Sequence, residues 1–345
     1  MLHSINHFRA LAICLIVSAH SAPICGLAFD SVLSMTIINL MVGCTSLFVF
    51  ISGFLFHHIF YPRYKYGPFF SKKVSLLAVP YTLLGIFPIT VLVMFFKDQA
   101  LFGGFFQPQG DGIVQQYVIP ALKYYITGAF NVGYWYIPFV LLLFATSPLH
   151  VRFVHLSQRV QLSIIGIGIL VACFIHRPLH SLNPFHFLVY LTPVYLLGIH
   201  ASINKETLYK KLHGKEIYLF VLTLLFAFIQ AYQRDYSNYY KNAFEFNGID
   251  WMYLQKISMC YFLLIWLHRF ENYQNPLLTT VANTSFAIYF LHPTLIQIKL
   301  NVPTFLEGSW LFLFFYSGLV ISICILVALS LKKLFKKYSR YLIGY

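Results

Sequence analysis

The chain alternates long apolar stretches with short polar ones, and this pattern predicts about ten transmembrane helices. A helix needs about 20 apolar residues to cross the hydrocarbon core of a bilayer. Stretches close to that length recur along the whole sequence, and the fifth and seventh are the shortest. Their approximate limits are 10–29, 33–56, 74–96, 129–149, 160–175, 185–203, 217–232, 251–267, 277–298 and 310–331. We therefore predict an all-α integral membrane bundle that forms one domain over residues 1–345.

Composition supports this class and argues against soluble ones. Hydrophobic residues make up 59% of the chain and charged residues 10%, with a mean hydropathy of +0.71. Such values are typical of polytopic membrane proteins. The first apolar stretch shows no signal-peptide cleavage pattern, so we expect it to be retained. The six cysteines lie in apolar stretches without a Cys-x-x-Cys pair, which argues against a disulfide framework and a thiolate metal site.

The distribution of basic residues predicts the orientation in the membrane. The formal net charge is +14, and 24 residues are Lys or Arg. If both termini are cytoplasmic, sixteen of these residues flank the cytoplasmic side and Arg9 lies at the cytoplasmic mouth of the first span. The other seven face the far side: Lys97, Lys123, Arg177, Arg234, Lys241, Lys256 and Lys299. Because Lys and Arg accumulate in cytoplasmic loops, we expect a plasma-membrane protein with cytoplasmic termini. The scatter of basic residues over these loops argues against nucleic-acid binding.

The first apolar stretch carries two polar side chains whose spacing indicates function. His20 follows Arg9 by eleven positions, which on an α-helix returns to nearly the same face, about 16 Å further along the axis. Arg9 would lie at one membrane face and His20 near the middle of the bilayer, where ionisable residues are costly and mark functional sites. Pro23 frees the carbonyl of Ala19 and predicts a kink beside His20. The alternatives are an interfacial anchor for Arg9 and a packing role for His20.

These residues and several later motifs resemble acyltransferase family 3, membrane proteins with ten spans that O-acylate cell-surface polysaccharides and related acceptors. Arg9, ten further residues and then His20 is similar to the signature of that family. Other stretches that resemble the family are 43–54, 134–138 and 285–293. Members often carry Arg-x-x-Arg before the third span, whereas this chain has Lys72 and Lys73. Lysine supplies charge to a phosphate but lacks the two-pronged hydrogen bonding of arginine.

The resemblance implies transfer of an acyl group, with acetyl favoured, from cytoplasmic acyl-CoA to a hydroxyl of a cell-surface or secreted glycan. Such a reaction needs a base, and a largely neutral histidine is suited to that role. We therefore expect His20 to be the general base and Arg9 to bind donor phosphates. Lys72 and Lys73 are expected to contribute less, as charges screened by water and salt. Acyl-CoA is a substrate, and no permanently bound cofactor is predicted.

Further polar residues leave alternatives open. Ser52 and Tyr289 are candidates for orienting His20 or relaying an acyl group, although polar residues at helix contacts more often serve packing. His292 lies in one of the family-like stretches, and the sequence suggests no role for it.

Two histidines have the spacing of metal ligands on a helix. His176 and His180 are four positions apart, but Arg177 and Pro178 between them disfavour a helix that would bring both side chains to one face. We therefore predict no metal site.

Two polar stretches, 97–128 and 233–250, are rich in aromatic residues, amides and acids. Such residues suit stacking on sugar rings, although interfacial tyrosine belts have a similar composition. The main alternative function is a transporter or flippase for polysaccharide intermediates, which would share the spans, interior cations and outer aromatic residues. The sequence shows no internal repeat, which argues mildly against a transporter. A membrane partner protein without activity would leave the alignment of Arg9 with His20 unexplained.

Overall fold

The computed structural model describes residues 2–233, 235–242, 245–298, 300 and 306–345, most of which are helical. The α-helices, numbered in chain order, are α1 His3–Ser21, α2 Val32–Met41, α3 Thr45–Leu55, α4 Tyr66–Phe95, α5 Ile119–Thr127, α6 Tyr136–Ala145, α7 Ser147–Val154, α8 Gln158–Ile175, α9 Pro184–Ile203, α10 Lys205–Leu212, α11 Glu216–Tyr232, α12 Trp251–His268, α13 Pro276–Leu295, α14 Trp310–Phe335 and α15 Ser339–Ile343. Short π or 3-10 helices occupy Phe56–Phe60, Tyr61–Arg63, Leu101–Gly104, Val114–Val118, Leu179–Ser181 and Lys336–Tyr338. Two short parallel strands, β1 Arg177–Pro178 and β2 Tyr240–Lys241, pair Arg177 with Tyr240.

Each predicted span overlaps a helix or a pair of helices. Among the described residues, five helical runs are long and apolar enough to cross a membrane, and seven if two bent pairs each count as one span. These pairs are α6 with α7, bent by 57°, and α10 with α11, bent by 89°. The chain is thus an all-α multi-pass membrane protein, and the count of ten spans stays a prediction. Arg234 and Lys299, predicted on the far side, lie outside the described residues.

The first helix differs from its predicted limits in a way that changes the position of the candidate base. α1 begins before the predicted span 10–29 and already ends at Ser21. Pro23 has no N–H with which to continue the helical hydrogen bonds, and the chain turns there, with the Cys25 N–H donating to the Ser21 carbonyl at 3.0 Å. His20 therefore lies in the last turn of α1, and the helix ends where a kink was predicted.

Helices α3 and α9 cross with their backbones in close approach. A Cβ on Gly53 would lie 2.0 Å from the carbonyl oxygen of Tyr195, and a Cβ on Gly198 would lie 2.0 Å from that of Phe50. Small residues at helix contacts permit such packing in membrane proteins. The crossing fixes α3 and with it Ser52, one of the predicted site residues.

Both described chain ends lie at the end of the bundle that carries Arg9. The Glu271 carboxylate accepts hydrogen bonds from two backbone N–H groups in the first turn of α1, at 2.9 and 3.0 Å. After α15, Gly344 lies beside Phe286, so that a Cβ on the glycine would be 3.3 Å from the phenylalanine Cβ. Phe286 directly follows the α13 residue that Arg9 contacts. The two termini therefore share one end of the bundle.

The break between α2 and α3 shapes the opposite end, near His20. Gly43 adopts φ +75° in this break. The ammonium group of Lys256, on α12, donates to the carbonyls of Asn39 and Leu40 at 2.8 and 3.0 Å. These are carbonyls of the last turn of α2, which have no partner within the helix. A buried lysine thus stabilises the break, which lines a cavity that His20 also lines.

Candidate active site

A cavity of about 250 Å³ lies inside the bundle along the functional face of α1. We call it the Arg9 cavity. Its two ends on α1 are Arg9 and His20, about 16 Å apart by helical rise. The predicted site residues in its wall are Arg9, His20, Ser52, Lys73 and Tyr289. The structure therefore brings together five of the six residues that the sequence singled out.

The Arg9 end of this cavity holds two cations without a carboxylate partner among the described residues. Nη2 of Arg9 donates to the Ser285 hydroxyl at 3.0 Å. The ammonium group of Lys73 lies over the rings of Phe60 and Phe144, 4.3 and 4.8 Å from their centres. Two such cations beside an apolar cavity are suited to an anionic group such as a phosphate.

Lys72, the sixth predicted residue, lies outside the Arg9 cavity. It is exposed and lines a separate cavity of about 1010 Å³, which we call the Lys72 cavity. The other cations in its wall are Lys332, Lys336, Lys337 and Arg340. The two cavities adjoin, because Leu76 lines both. Screening by water, expected for both lysines, fits the exposed Lys72 but not Lys73, which is shielded by aromatic rings.

His20 is paired with a second histidine, and this pairing fixes its protonation. Nδ1 of His20 lies 3.0 Å from Nε2 of His292, with the ring planes within 10° of each other. Nδ1 of His292 lies 2.8 Å from the carbonyl oxygen of Ile288, which can only accept, so this nitrogen carries a proton. In neutral His292, Nε2 must then accept, and Nδ1 of His20 must donate. Nε2 of His20 is left with the lone pair that a general base needs.

A glycine turn abuts the ring of His20. Gly133 has φ +80°, and a Cβ at this position would lie 3.3 Å from Cε1 of His20. The Tyr289 hydroxyl donates to the Gly133 carbonyl at 2.9 Å. Tyr289 therefore positions the turn against the ring, whereas His292 holds Nδ1 of His20. Ser52 lines the cavity nearby.

A third cavity, of about 510 Å³, reaches His20 from the other end of the bundle. We call it the Arg177 cavity. The α2–α3 break, residues 128–133 and both strands contribute to its wall. Phe102 and Tyr240, one from each aromatic-rich stretch, also line it. Its other polar side chains include Asn131, His180, Ser181, Ser237, Asn238 and Gln297. His20 thus lies in the wall of both the Arg9 cavity and the Arg177 cavity.

The family sequence model for acyltransferase family 3, described as an acyltransferase domain, matches residues 2–329 of the chain. The chain belongs to acyltransferase family 3. This confirms the resemblance seen in the motifs and supports acyltransferase activity in a membrane protein. No curated protein and no solved structure matches the chain.

Two residues of this acyltransferase take positions in the site that the sequence did not reveal. His292 was identified only as part of a family-like stretch, although a histidine inside an apolar span is itself a signal of function. The sequence places Arg177 only among the far-side loop cations, whereas the fold buries it beside the cavity that reaches His20. Among the described residues, no group of three His, Cys, Asp or Glu side chains is placed to hold a metal ion.

Proposed function

We propose that this protein transfers an acyl group, with acetyl favoured, from acyl-CoA to a hydroxyl of a cell-surface or secreted glycan. The observation that carries the proposal is the position of His20 between two cavities, with Nε2 free to accept a proton. Membership of acyltransferase family 3 supports the reaction class. The donor and the acceptor are assigned from the chemistry of the two cavities.

The Arg9 cavity suits the donor. In the proposed complex the pantetheine arm of acyl-CoA lies along α1, and its thioester reaches His20. Arg9 and Lys73 bind donor phosphates at the far end of the cavity. The adjoining Lys72 cavity, with its five cations, accommodates the remaining phosphate groups.

The proposed reaction is a direct transfer at His20. Nε2 of His20 takes the proton of the acceptor hydroxyl, and the hydroxyl oxygen attacks the carbonyl carbon of the thioester. The new C–O bond forms as the C–S bond breaks, and the CoA thiolate leaves with the proton held by His20. The base is thereby regenerated, and atoms and charge balance. General-base assistance of this kind typically contributes 10²–10⁴-fold.

The test is acyl transfer by purified protein in lipid vesicles supplied with acetyl-CoA and glycan acceptors. We expect free CoA thiol to appear only when an acceptor is present, together with an acetyl ester on the glycan detected by mass spectrometry. A transporter or flippase would move glycan across the vesicle membrane without consuming acetyl-CoA. Absence of both thiol and ester across a panel of glycans would contradict the proposed activity.

We also propose that the Arg9 end of the bundle faces the cytoplasm, where acyl-CoA is available. The shared location of the two chain ends and the excess of basic residues in the loops assigned to that side support this orientation. Reporter domains fused after Tyr345 and inserted within 107–112 are therefore expected to report opposite sides of the membrane. The same side for both reporters would contradict the orientation.

Replacing Arg9 with lysine is expected to weaken acyl-CoA binding about tenfold. The substitution keeps the charge but removes the planar fork, and hydrogen bonds to charged groups contribute about 1.5–3 kcal/mol. Lys72→Ala is expected to have a smaller effect, because Lys72 is exposed and its charge is screened. The measurement is the Kd for CoA by calorimetric titration of the purified protein.

The matched control is Arg159→Lys, the same change at an exposed position at the start of α8. It should leave the Kd for CoA unchanged. If Arg9→Lys binds CoA as tightly as the parent protein, Arg9 is an interfacial anchor and not a donor-binding residue.

A further inference from the structure

Arg177 is a buried cation whose hydrogen-bonding capacity is only partly used. Its residue is 8% exposed. Nη1 donates to Oδ1 of Asn238 at 3.0 Å, while Nε and Nη2 share the Ser181 hydroxyl, each at 3.4 Å. A guanidinium group has five N–H donors. Two of them therefore have no acceptor among the described residues.

The guanidinium group also lacks an ion-pair partner among the described residues. Asp250 is a buried carboxyl group whose charge interacts with Arg177. Its two oxygens instead accept hydrogen bonds from the Tyr190 hydroxyl and the Tyr253 N–H, each at 2.8 Å. Burial also raises the pKa of Asp250 to about 7, which disfavours its charged form. Asp250 does not neutralise Arg177 at close range.

Aromatic rings and a constrained backbone hold Arg177 in place. The guanidinium carbon lies 4.4 Å from the centre of the Trp135 ring and 5.3 Å from that of Tyr240. Ser181 and Ser237, on the two segments that surround it, both adopt positive φ, at 60° and 80°. Strained backbone of this kind is retained where the surrounding structure requires it, often at binding sites. Arg177 is therefore pre-organised before any ligand arrives.

Arg177 and His20 line the same cavity. The volume of about 510 Å³ falls within the range of small-molecule sites. Neutral hydrogen-bonding groups from Asn131, Asn238 and Gln297 complete the wall. A ligand seated here can present a hydroxyl to His20 while another of its groups contacts the guanidinium.

We propose that the acceptor is anionic and that Arg177 binds its carboxylate or phosphate group. This inference rests on the proposed function, because it assigns the Arg177 cavity to the acceptor. A buried cation is costly unless an anion pairs with it, and the guanidinium fork matches the two oxygens of a carboxylate or phosphate. The donor phosphates have a separate cationic site at the Arg9 end, so the anion at Arg177 belongs to the second substrate. A glycan bearing uronic acid residues and a saccharide linked to a lipid diphosphate both satisfy this chemistry.

The test measures binding of two matched pairs of probes to the purified full-length protein. The first pair is a tetrasaccharide of alternating glucuronate and N-acetylglucosamine and its carboxyl-reduced counterpart. The second pair is farnesyl diphosphate-linked N-acetylglucosamine and the uncharged farnesyl glycoside of the same sugar. We expect at least one anionic probe to bind tenfold or more tightly than its neutral partner, and the pair that shows this preference identifies the source of the anion.

Arg177→Gln is expected to abolish that preference, whereas Arg159→Gln, the same change at an exposed site, should preserve it. Asn238→Asp is a second variant for the case in which Arg177→Gln does not fold. It places a carboxylate where Nη1 already donates, and it should compete with the anionic probe and weaken its binding tenfold or more. Equal binding within both pairs, no binding of either anionic probe, or a preference that survives both variants would overturn the inference.

The binding measurement is independent of acyl transfer. If acceptor-dependent thiol release occurs but Arg177-dependent binding does not, only this inference fails. If Arg177-dependent binding occurs without thiol release, the proposed function fails, and the anion that Arg177 binds is then not an acyl acceptor. Arg177→Gln could also lower kcat equally for neutral and anionic acceptors while leaving acceptor affinity unchanged. That result would indicate that Arg177 stabilises the transition state, and it would also overturn the inference that Arg177 binds an anionic group of the acceptor.

Discussion

Replacing His20 with glutamine is expected to lower kcat by about 10²–10⁴-fold, the range that general-base catalysis typically supplies. Glutamine is close to histidine in size, and its amide can still donate to Nε2 of His292. It cannot take a proton from the acceptor hydroxyl. Because His20 lies at the far end of the Arg9 cavity from the cations, donor binding is expected to be retained. The measurements are kcat for acetyl transfer in vesicles and the Kd for CoA.

His20→Ala should show the same loss of turnover, since neither variant has a base at this position. The control is His213→Gln, the same substitution at an exposed position after α10, which should leave kcat at the parental level. Near-parental transfer by His20→Gln would show that His20 is a packing residue and that the proposed mechanism is wrong.

Much of the fold could be predicted from the sequence, because apolar stretches long enough to cross a membrane indicate helices directly. The predicted spans 160–175 and 251–267 differ from α8, Gln158–Ile175, and α12, Trp251–His268, by two residues or fewer at each end. The end of α1 was harder to predict, because hydropathy continues to residue 29 while the backbone turns after Ser21. The 57° bend between α6 and α7 falls inside the single predicted span 129–149, where the apolar pattern does not indicate it.

Of the site, the part that depends on local periodicity was predictable. Arg9 and His20 lie on one helix, so their shared face follows from helix geometry alone. The partner of His20 is 272 positions away in the chain, and nothing local indicates which helix packs against α1. Arg177 likewise gains its position from the pairing of β1 with β2. Contacts between elements that are distant in sequence can be identified only from the three-dimensional structure. In this protein they determine the tautomer of His20 and the position of Arg177.

Replacing His292 with phenylalanine is expected to lower kcat by about tenfold to a hundredfold with little change in donor affinity. The phenyl ring keeps an aromatic side chain beside His20 but offers no acceptor to Nδ1 of that residue. The two neutral tautomers of His20 are then no longer distinguished, and the form with a free Nε2 is less populated and less well oriented. His292 is a positioning residue in this scheme, because it acts through His20 and transfers no proton to substrate.

His292→Gln provides the informative comparison, because its carbonyl oxygen can accept from Nδ1 of His20 where the imidazole did. His292→Gln should therefore have a kcat well above that of His292→Phe. If the role of His292 were purely structural, a polar glutamine in this buried site would give a kcat no higher than that of His292→Phe. The Kd for CoA and the unfolding temperature should be measured for both variants, so that loss of fold is separated from loss of orientation. Equal kcat in the two variants would contradict the assignment, and so would parental kcat in His292→Phe. The chain of hydrogen bonds has one direction: the Ile288 carbonyl fixes the proton of His292, His292 fixes that of His20, and the free nitrogen of His20 accepts the proton of the acceptor hydroxyl.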